Sequence, residues 1–123
     1  MAIQQVHESL LYARNAGADL SGKLFYFAKF DTDGDINLAG DGGTVAGVII
    51  EAAVADMPVT IQFGGVGKVI AAETIAANAR IASDANGKAV AAAVNDFEVG
   101  TVTEGGNAGD IISFIFAPGR RSA

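Results

Sequence analysis

The chain has 123 residues, half of them apolar, which is enough for one domain with a core and too apolar for a disordered segment. It has a net charge of −6 and no cysteine, which excludes a disulfide framework, a thiolate nucleophile and a thiolate metal site. Sixteen glycines against two prolines favour a β-protein with many tight turns. No apolar run is long enough to span a bilayer, so we expect no membrane partner.

The first twenty residues predict an extended N-terminal arm. Residues 1–20 show no sustained period, apart from a short helical pattern around 8–14. Their apolar side chains are too numerous for a solvated tail, and a segment of this kind gains backbone hydrogen bonds when it adds to a neighbouring sheet edge. We therefore expect the arm to contact a partner, through Ile3, Val6, Leu10, Leu11 and Tyr12.

Residues 21–119 predict the folded domain, with a short tail at 120–123. Strands are expected in KLFYFAKF, AGVIIE and VTIQF, then in KAVAAAV, FEVGTVTE and DIISFIF. Asp-Gly at 33–34 and Asn-Gly at 86–87 are hairpin signals. The alanine-rich stretch 71–79 predicts one short helix, since it lacks Gly and Pro.

One pattern of turn and apolar residues occurs twice, at a distance of fifty-three positions. Residues 31–63 run from DTDG to VTIQF, and residues 84–116 run from DANG to IISFIF. A β-unit this small cannot bury its own apolar face, so two copies must pack together. The predicted fold is mainly β: a small β-barrel or β-tulip-like domain with an internal pseudo-repeat. The matched pairs are Asp31/Asp84, Gly34/Gly87, Gly47/Gly100, Glu51/Glu104, Ala55/Ala108 and Phe63/Phe116.

The two copies differ on the strand faces opposite the inferred core. The first copy is apolar there and the second is polar, which indicates that something covers the outer surface of the first copy. Either the N-terminal arm covers it within one subunit, or a second subunit does, as an oligomer interface. The pairs are Phe25/Asn78, Phe27/Arg80, Val48/Thr101 and Ile50/Thr103.

The sequence offers no convincing catalytic constellation, and we expect no enzyme. The one histidine, His7, lies in the arm, so a histidine-based triad would have to reach into that segment. The carboxylates Asp96 and Glu98 have no second pair or aromatic sugar platform predicted beside them. Residues 30–63 contain six acidic and no basic residues, which disfavours a nucleic-acid partner.

Two stretches resemble ligand-binding motifs but lack some of the residues that those motifs require. DTDGDINLAGDG has the Asp31, Asp33 and Asp35 spacing of a calcium loop, but Ile36 and Gly42 replace the required Gly and Glu. GGVGK lacks the first Gly and the final Ser or Thr of a phosphate loop. We therefore expect a solvated acidic loop, with no metal and no cofactor.

The order of motifs in residues 22–116 resembles the head decoration (capsid cement) proteins of tailed phages. The resemblance rests on GGVGKVIAAETIAANARIASDANGKAV, with its turn from Asp84 to Lys88, followed by EVGTVTEGGNAGDIISFIF. The aromatic strand over 24–30 and the acidic loop after it match nothing in that family.

The resemblance implies a β-barrel or tulip-like domain, usually trimeric, that binds the outside of the capsid and reinforces the shell. It implies the major capsid protein as the partner of the arm, the virion exterior as the location, and no catalytic residues. A ligand-binding β-module, for instance one that binds carbohydrate on a virion or cell surface, is the alternative. Binding to expanded capsids, with no binding to glycans, would separate the two.

Overall fold

The computed structural model describes residues 10–120, with side chains described as far as residue 119. These residues form ten β-strands in two five-stranded antiparallel sheets, without a helix in the described range. The strands are β1 Leu11–Asn15, β2 Phe27–Phe30, β3 Ile36–Leu38, β4 Gly47–Glu51, β5 Pro58–Gln62, β6 Val66–Ile70, β7 Arg80–Ser83, β8 Ala89–Ala91, β9 Phe97–Glu104 and β10 Ile111–Arg120. Within this range no helix is long and apolar enough to cross a membrane.

The two sheets repeat one topology. Their strand orders are β1-β5-β4-β2-β3 and β6-β10-β9-β7-β8, so each strand has a counterpart five places later. Registers agree as well: the pair Ala28–Gly47 recurs as Ile81–Gly100, and the bulge in β4 recurs in β9. The predicted internal repeat is therefore present in the fold. We call β1–β5 the first repeat and β6–β10 the second.

Backbone conformation repeats with the same spacing. Asp31 and Asp84 each accept two backbone N–H groups through Oδ1, which fixes the turn that follows β2 and β7. Residues in the left-handed region also recur fifty-three positions apart, and all of them except Phe25 are Gly, Asn or Asp, the residues that adopt positive φ most readily. These pairs are Phe25/Asn78, Gly34/Gly87, Gly42/Asn95 and Asp56/Gly109.

Each sheet curls until its two edges meet. Ala16, just after β1, forms a parallel bridge to Ile36 in β3, and Ala71, just after β6, forms the same bridge to Ala89 in β8. Each repeat is thus a small, partly closed barrel, which leaves little free sheet edge. The interior of the first barrel is apolar and buried: Ala16, Leu20, Ala28, Ile36, Ile49, Val59 and Ile61.

The outer face of the first repeat packs on the core of the second. Phe27 and Val48 are fully buried and belong to the cluster that contains Val69, Ile81 and Phe114. Neither expected cover, the arm or a second subunit, is therefore needed for these two residues. The oligomer-interface hypothesis is wrong for Phe27 and Val48. Its other two members, Phe25 and Ile50, are half-buried.

The predicted helix is absent. Ala71 bridges Ala89, and Ile75 exchanges two backbone hydrogen bonds with Gly106 while its side chain is buried. These pairings use the backbone N–H and C=O groups that a helix would need. The stretch is only nine residues long, so the helix propensity of its alanines stabilises a helix too little to compete with these pairings. Tertiary pairing therefore overrides local preference over 71–79.

The predicted arm boundary is also wrong. Leu11–Asn15 is β1, which pairs with β5 over five residues, and Ala16 and Leu20 are buried in the first core. The short helical pattern around 8–14 therefore does not become a helix where the structure describes it. β1 is the counterpart of β6, at a distance of fifty-five positions instead of fifty-three. The part of the arm before Leu10 lies outside the described residues.

Candidate interaction surface

The first barrel contacts the second barrel at the end where β7 and β9 adjoin. We call this end of a barrel its open end. There the Gly42 N–H donates to the Ser83 carbonyl at 2.9 Å, and the Gly42 carbonyl accepts from the Phe97 N–H at 3.1 Å. Gly42 thus inserts between two groups at the adjoining ends of β7 and β9. Beside it, the Phe27 N–H donates to the Gly87 carbonyl at 2.7 Å. These bonds fix the orientation of one barrel on the other.

An aromatic side chain fills the same opening. The Phe27 ring meets the Phe114 ring edge-on at a centroid distance of 5.8 Å, and Phe114 lies 4.7 Å from Phe116. Edge-to-face pairs of this kind add to the stabilisation from burial. The open end of the second barrel is therefore closed by a side chain and a loop of the first repeat.

The equivalent end of the first barrel faces solvent. Tyr12, Phe30 and Phe63 surround a groove of about 380 Å³ whose floor is Ile61 and Ala46. The three rings are 45%, 46% and 42% exposed. Tyr12 and Phe30 meet edge-on at 5.8 Å, so they occupy part of the space that Phe27 takes in the second barrel. Much aromatic surface still remains in contact with water.

A second cavity adjoins this groove, between Phe30 and Thr44. It has a volume of about 360 Å³ and is lined also by Lys29, Asp41 and Gly43. Phe30 and Thr44 are the counterparts of Ser83 and Phe97, the residues that hold Gly42 in the second barrel.

On the second repeat, the surface around Arg80 corresponds to the Phe27 face of the first repeat. It is polar at Arg80 and has an apolar residue, Val94, nearby. Arg80 donates to Glu98 at 2.7 Å, to the Thr101 hydroxyl at 3.0 Å and to the Ala117 carbonyl at 2.6 Å. Its guanidinium group therefore ties three strands together. In the neighbouring β8–β9 loop, Val94 is 55% exposed.

Of the five residues predicted for the arm, three lie in the described range. Leu10 packs against Gly64 and Gly65 in the linker between the barrels, and Leu11 lines a shallow pocket with Ile50. Tyr12 points to the other side of β1, into the groove. Ile3, Val6 and His7 lie outside the described residues.

Sequence reasoning missed Phe30, Thr44 and Phe63 as surface residues. One signal was available, since Phe30 stands where the second copy has Ser83. The signal was hidden because the two copies have the same residue type at the neighbouring position, Phe63 and Phe116. Phe63 is nevertheless exposed, whereas Phe116 packs on the core.

In the acidic loop that follows β2, the Asp31 carboxylate accepts hydrogen bonds from nearby residues. Asp31 accepts the Asp33 and Asp35 N–H groups on one oxygen and the Asn37 amide on the other. Arg14 lies 3.6 Å from Asp35. Among residues 10–120, no group of three or more His, Asp or Glu side chains is arranged to hold a metal ion. Elsewhere, the Ser21 hydroxyl and N–H, by donating to Asp19, lower the pKa of that carboxyl.

We expect calcium to leave the thermal stability of the protein unchanged. A ligand that binds only the native state must raise the melting temperature, and the Asp31 oxygens already accept hydrogen bonds from the turn. Melting curves with millimolar calcium and with chelator should superimpose. A calcium-dependent rise, lost in the Asp33→Asn variant, would show that the loop holds the ion.

Comparison with solved structures gives information about the fold. The chain is similar to the crystal structure of the N base of head fiber gp8.5 of bacteriophage phi29, with a TM-score of 0.75 and 13% sequence identity. The similarity covers 92% of this chain and 98% of the other. No protein-family model matches the chain. A comparison with curated proteins also gave no match. The two chains therefore share a fold.

Proposed function

We propose that this chain is a structural protein of a phage virion that binds the outer surface of the capsid and stabilises the shell. The observation that carries the proposal is the fold shared over almost the whole chain with the base of a phage head fiber. The sequence resemblance to head decoration proteins is a second, separate line of support.

The surface of the first barrel suits a binding role. Three exposed rings and the groove beneath them can form an interface without catalytic residues. We propose that the chain acts as a homotrimer, without enzymatic activity. Its partner is the major capsid protein, contacted by residues 1–9, which contain Ile3 and Val6, together with Leu10 and Leu11.

A fiber base is the second candidate function. The likeness extends over 98% of a chain that is the base of a head fiber, so this chain could anchor a fiber instead of cementing the shell. The two roles share attachment to the head and differ in its consequence. Only a cement protein needs to raise the resistance of the shell to heat or low salt.

Purified protein is expected to co-sediment with phage heads that lack it and to raise the temperature at which those heads release DNA. The measurement is sedimentation followed by a dye-release melting curve, with glycan binding tested in parallel. Binding without a change in release temperature would favour the fiber base. Binding to glycans but not to heads would contradict both and favour the carbohydrate-binding module.

A further inference from the structure

The open end of the first barrel combines aromatic and hydrogen-bonding surface in one continuous depression. The groove and the cavity between Phe30 and Thr44 have two lining residues in common, Phe30 and Ala46. We propose that this depression binds an uncharged carbohydrate. The inference goes beyond the proposed attachment to the capsid, since it gives the chain a second ligand.

In the second barrel, the protein itself fills the equivalent space. The Phe27 ring and the loop that carries Gly42 lie there. The first barrel has larger side chains at this end: Tyr12 stands where the second barrel has Gly67, and Phe30 stands where it has a buried serine. The first barrel therefore presents large aromatic side chains to solvent, and a patch of exposed aromatic surface marks a binding site.

The rings of the groove form a platform for the apolar face of a sugar. Tyr12, Phe30 and Phe63 are each a little less than half exposed. The C–H groups of a pyranose ring carry partial positive charge and the face of an aromatic ring carries partial negative charge, so the two attract each other. Contact also removes apolar surface of both from water. The edge-on contact between Tyr12 and Phe30 at 5.8 Å holds two of the rings in place before a ligand arrives.

The polar lining of the cavity fits a ligand that is rich in hydroxyl groups. Lys29, Asp41 and Thr44 line the cavity and are exposed to solvent. The ammonium group of Lys29 only donates hydrogen bonds, the carboxylate of Asp41 only accepts them, and the hydroxyl of Thr44 does both. A sugar hydroxyl also donates and accepts. A single polyhydroxylated ligand therefore pairs with all three side chains.

The charges at the site select against charged ligands and against an apolar segment. The cavity has one cation, Lys29, and one anion, Asp41. A basic ligand meets the charge of Lys29, and an acidic ligand meets that of Asp41 and the net charge of −6 of the chain. An apolar segment would remove both charges from water without offering them partners, which is costly. An uncharged sugar avoids each of these costs.

The site has the size and the access that a carbohydrate needs. The groove measures about 380 Å³ and the cavity about 360 Å³. Both values lie within the range of small-molecule sites, about 300–1,000 Å³. Leu11, which we assign to the capsid contact, lies on the opposite side of β1 from Tyr12. Attachment to a head and carbohydrate binding therefore use different surfaces and can be lost separately.

The test is binding of the full chain to an array of neutral, carboxylated and sulfated glycans, followed by calorimetric titration with the neutral glycan that binds best. We expect binding to neutral glycans only. Phe63→Leu keeps an apolar side chain but removes the aromatic face, so it should weaken binding about tenfold. Phe63→Trp keeps an aromatic face and should bind at least as well as wild type. The chain has no tryptophan, so the fluorescence of that variant reports binding independently.

Two further variants complete the set. Asp41→Ala should also weaken binding, because the sugar hydroxyls lose an acceptor. Ile115→Ala is the matched control, since Ile115 is 48% exposed, lies on the second barrel and lines neither the groove nor the cavity. It should bind as wild type does. Melting curves establish that each variant is folded, and if Phe63→Leu does not fold, the Asp41→Ala result decides alone.

No binding to any neutral glycan on the array would overturn the inference, and so would a preference for charged glycans. Undiminished binding by Phe63→Leu or by Asp41→Ala would overturn it as well. A chain that binds phage heads but no glycan would overturn this site and leave the proposed function standing. A chain that binds a neutral glycan through Phe63 and never binds heads would retain the site and contradict the proposed function.

Discussion

Replacing Phe27 with alanine is expected to lower the free energy of unfolding by about 3–5 kcal/mol, the range for a fully buried phenylalanine. The Phe27 ring is fully buried, and it meets Phe114 edge-on in the core of the second barrel. Its removal leaves a cavity between the repeats, where few other side chains can move in. A domain of this size is stable by roughly 5–15 kcal/mol, so the loss is a large fraction of the total.

The control is Phe30→Ala, which removes the same atoms from a ring that is 46% exposed. We expect that change to cost much less, because water already reaches the ring. Urea denaturation followed by circular dichroism gives both values. Phe27→Arg should prevent folding altogether, since an unpaired charge would be buried. Equal losses for the two alanine variants would show that Phe27 does not join the barrels.

The repeat was predictable because turns impose strict demands on residue type. Gly34 and Gly87 occupy the left-handed region, and Asp31 and Asp84 bond the backbone two and four residues ahead. Few residues meet these demands, so they persist when the rest of the sequence diverges. The pattern of such residues therefore located both copies of the hairpin and the strands that follow.

The extent of the repeat was not predictable in the same way. Twelve positions separate Ala16 from Ala28, and ten separate their counterparts Ala71 and Ile81, so a comparison at constant spacing loses β1. β1 is also exposed along its whole length and has no core-facing alternation. Its place is set by pairing with β5, which is a long-range interaction that the local sequence does not record.

The candidate surface shows a related limit. Alternation correctly assigned Phe27 to the face opposite the core of its own barrel, but it does not say what covers that face. The cover is the second repeat. For the same reason, the sequence did not distinguish Phe30 and Phe63 from other strand residues. Their position at the end of a barrel is set by the assembly of the strands, which the local sequence does not record.

Deletion of residues 1–20 is expected to abolish cooperative folding, whereas deletion of residues 1–9 should preserve it. The longer deletion removes β1, which pairs with β5 over five residues, and the buried side chains of Ala16 and Leu20. It also removes the Ala16–Ile36 bridge that closes the first barrel. Loss of a buried leucine alone costs about 2–5 kcal/mol, and the unpaired edge of β5 adds to it.

The shorter deletion is the matched control, and it also tests the proposed contact with the capsid. Both proteins are compared with the full chain by thermal melting, and the folded ones are then added to phage heads. We expect the chain without residues 1–9 to melt as the full chain does and to bind heads weakly, because Ile3 and Val6 are lost. Full head binding would place the attachment surface on the barrels. A cooperative transition in the chain without residues 1–20 would show that the first barrel closes without β1.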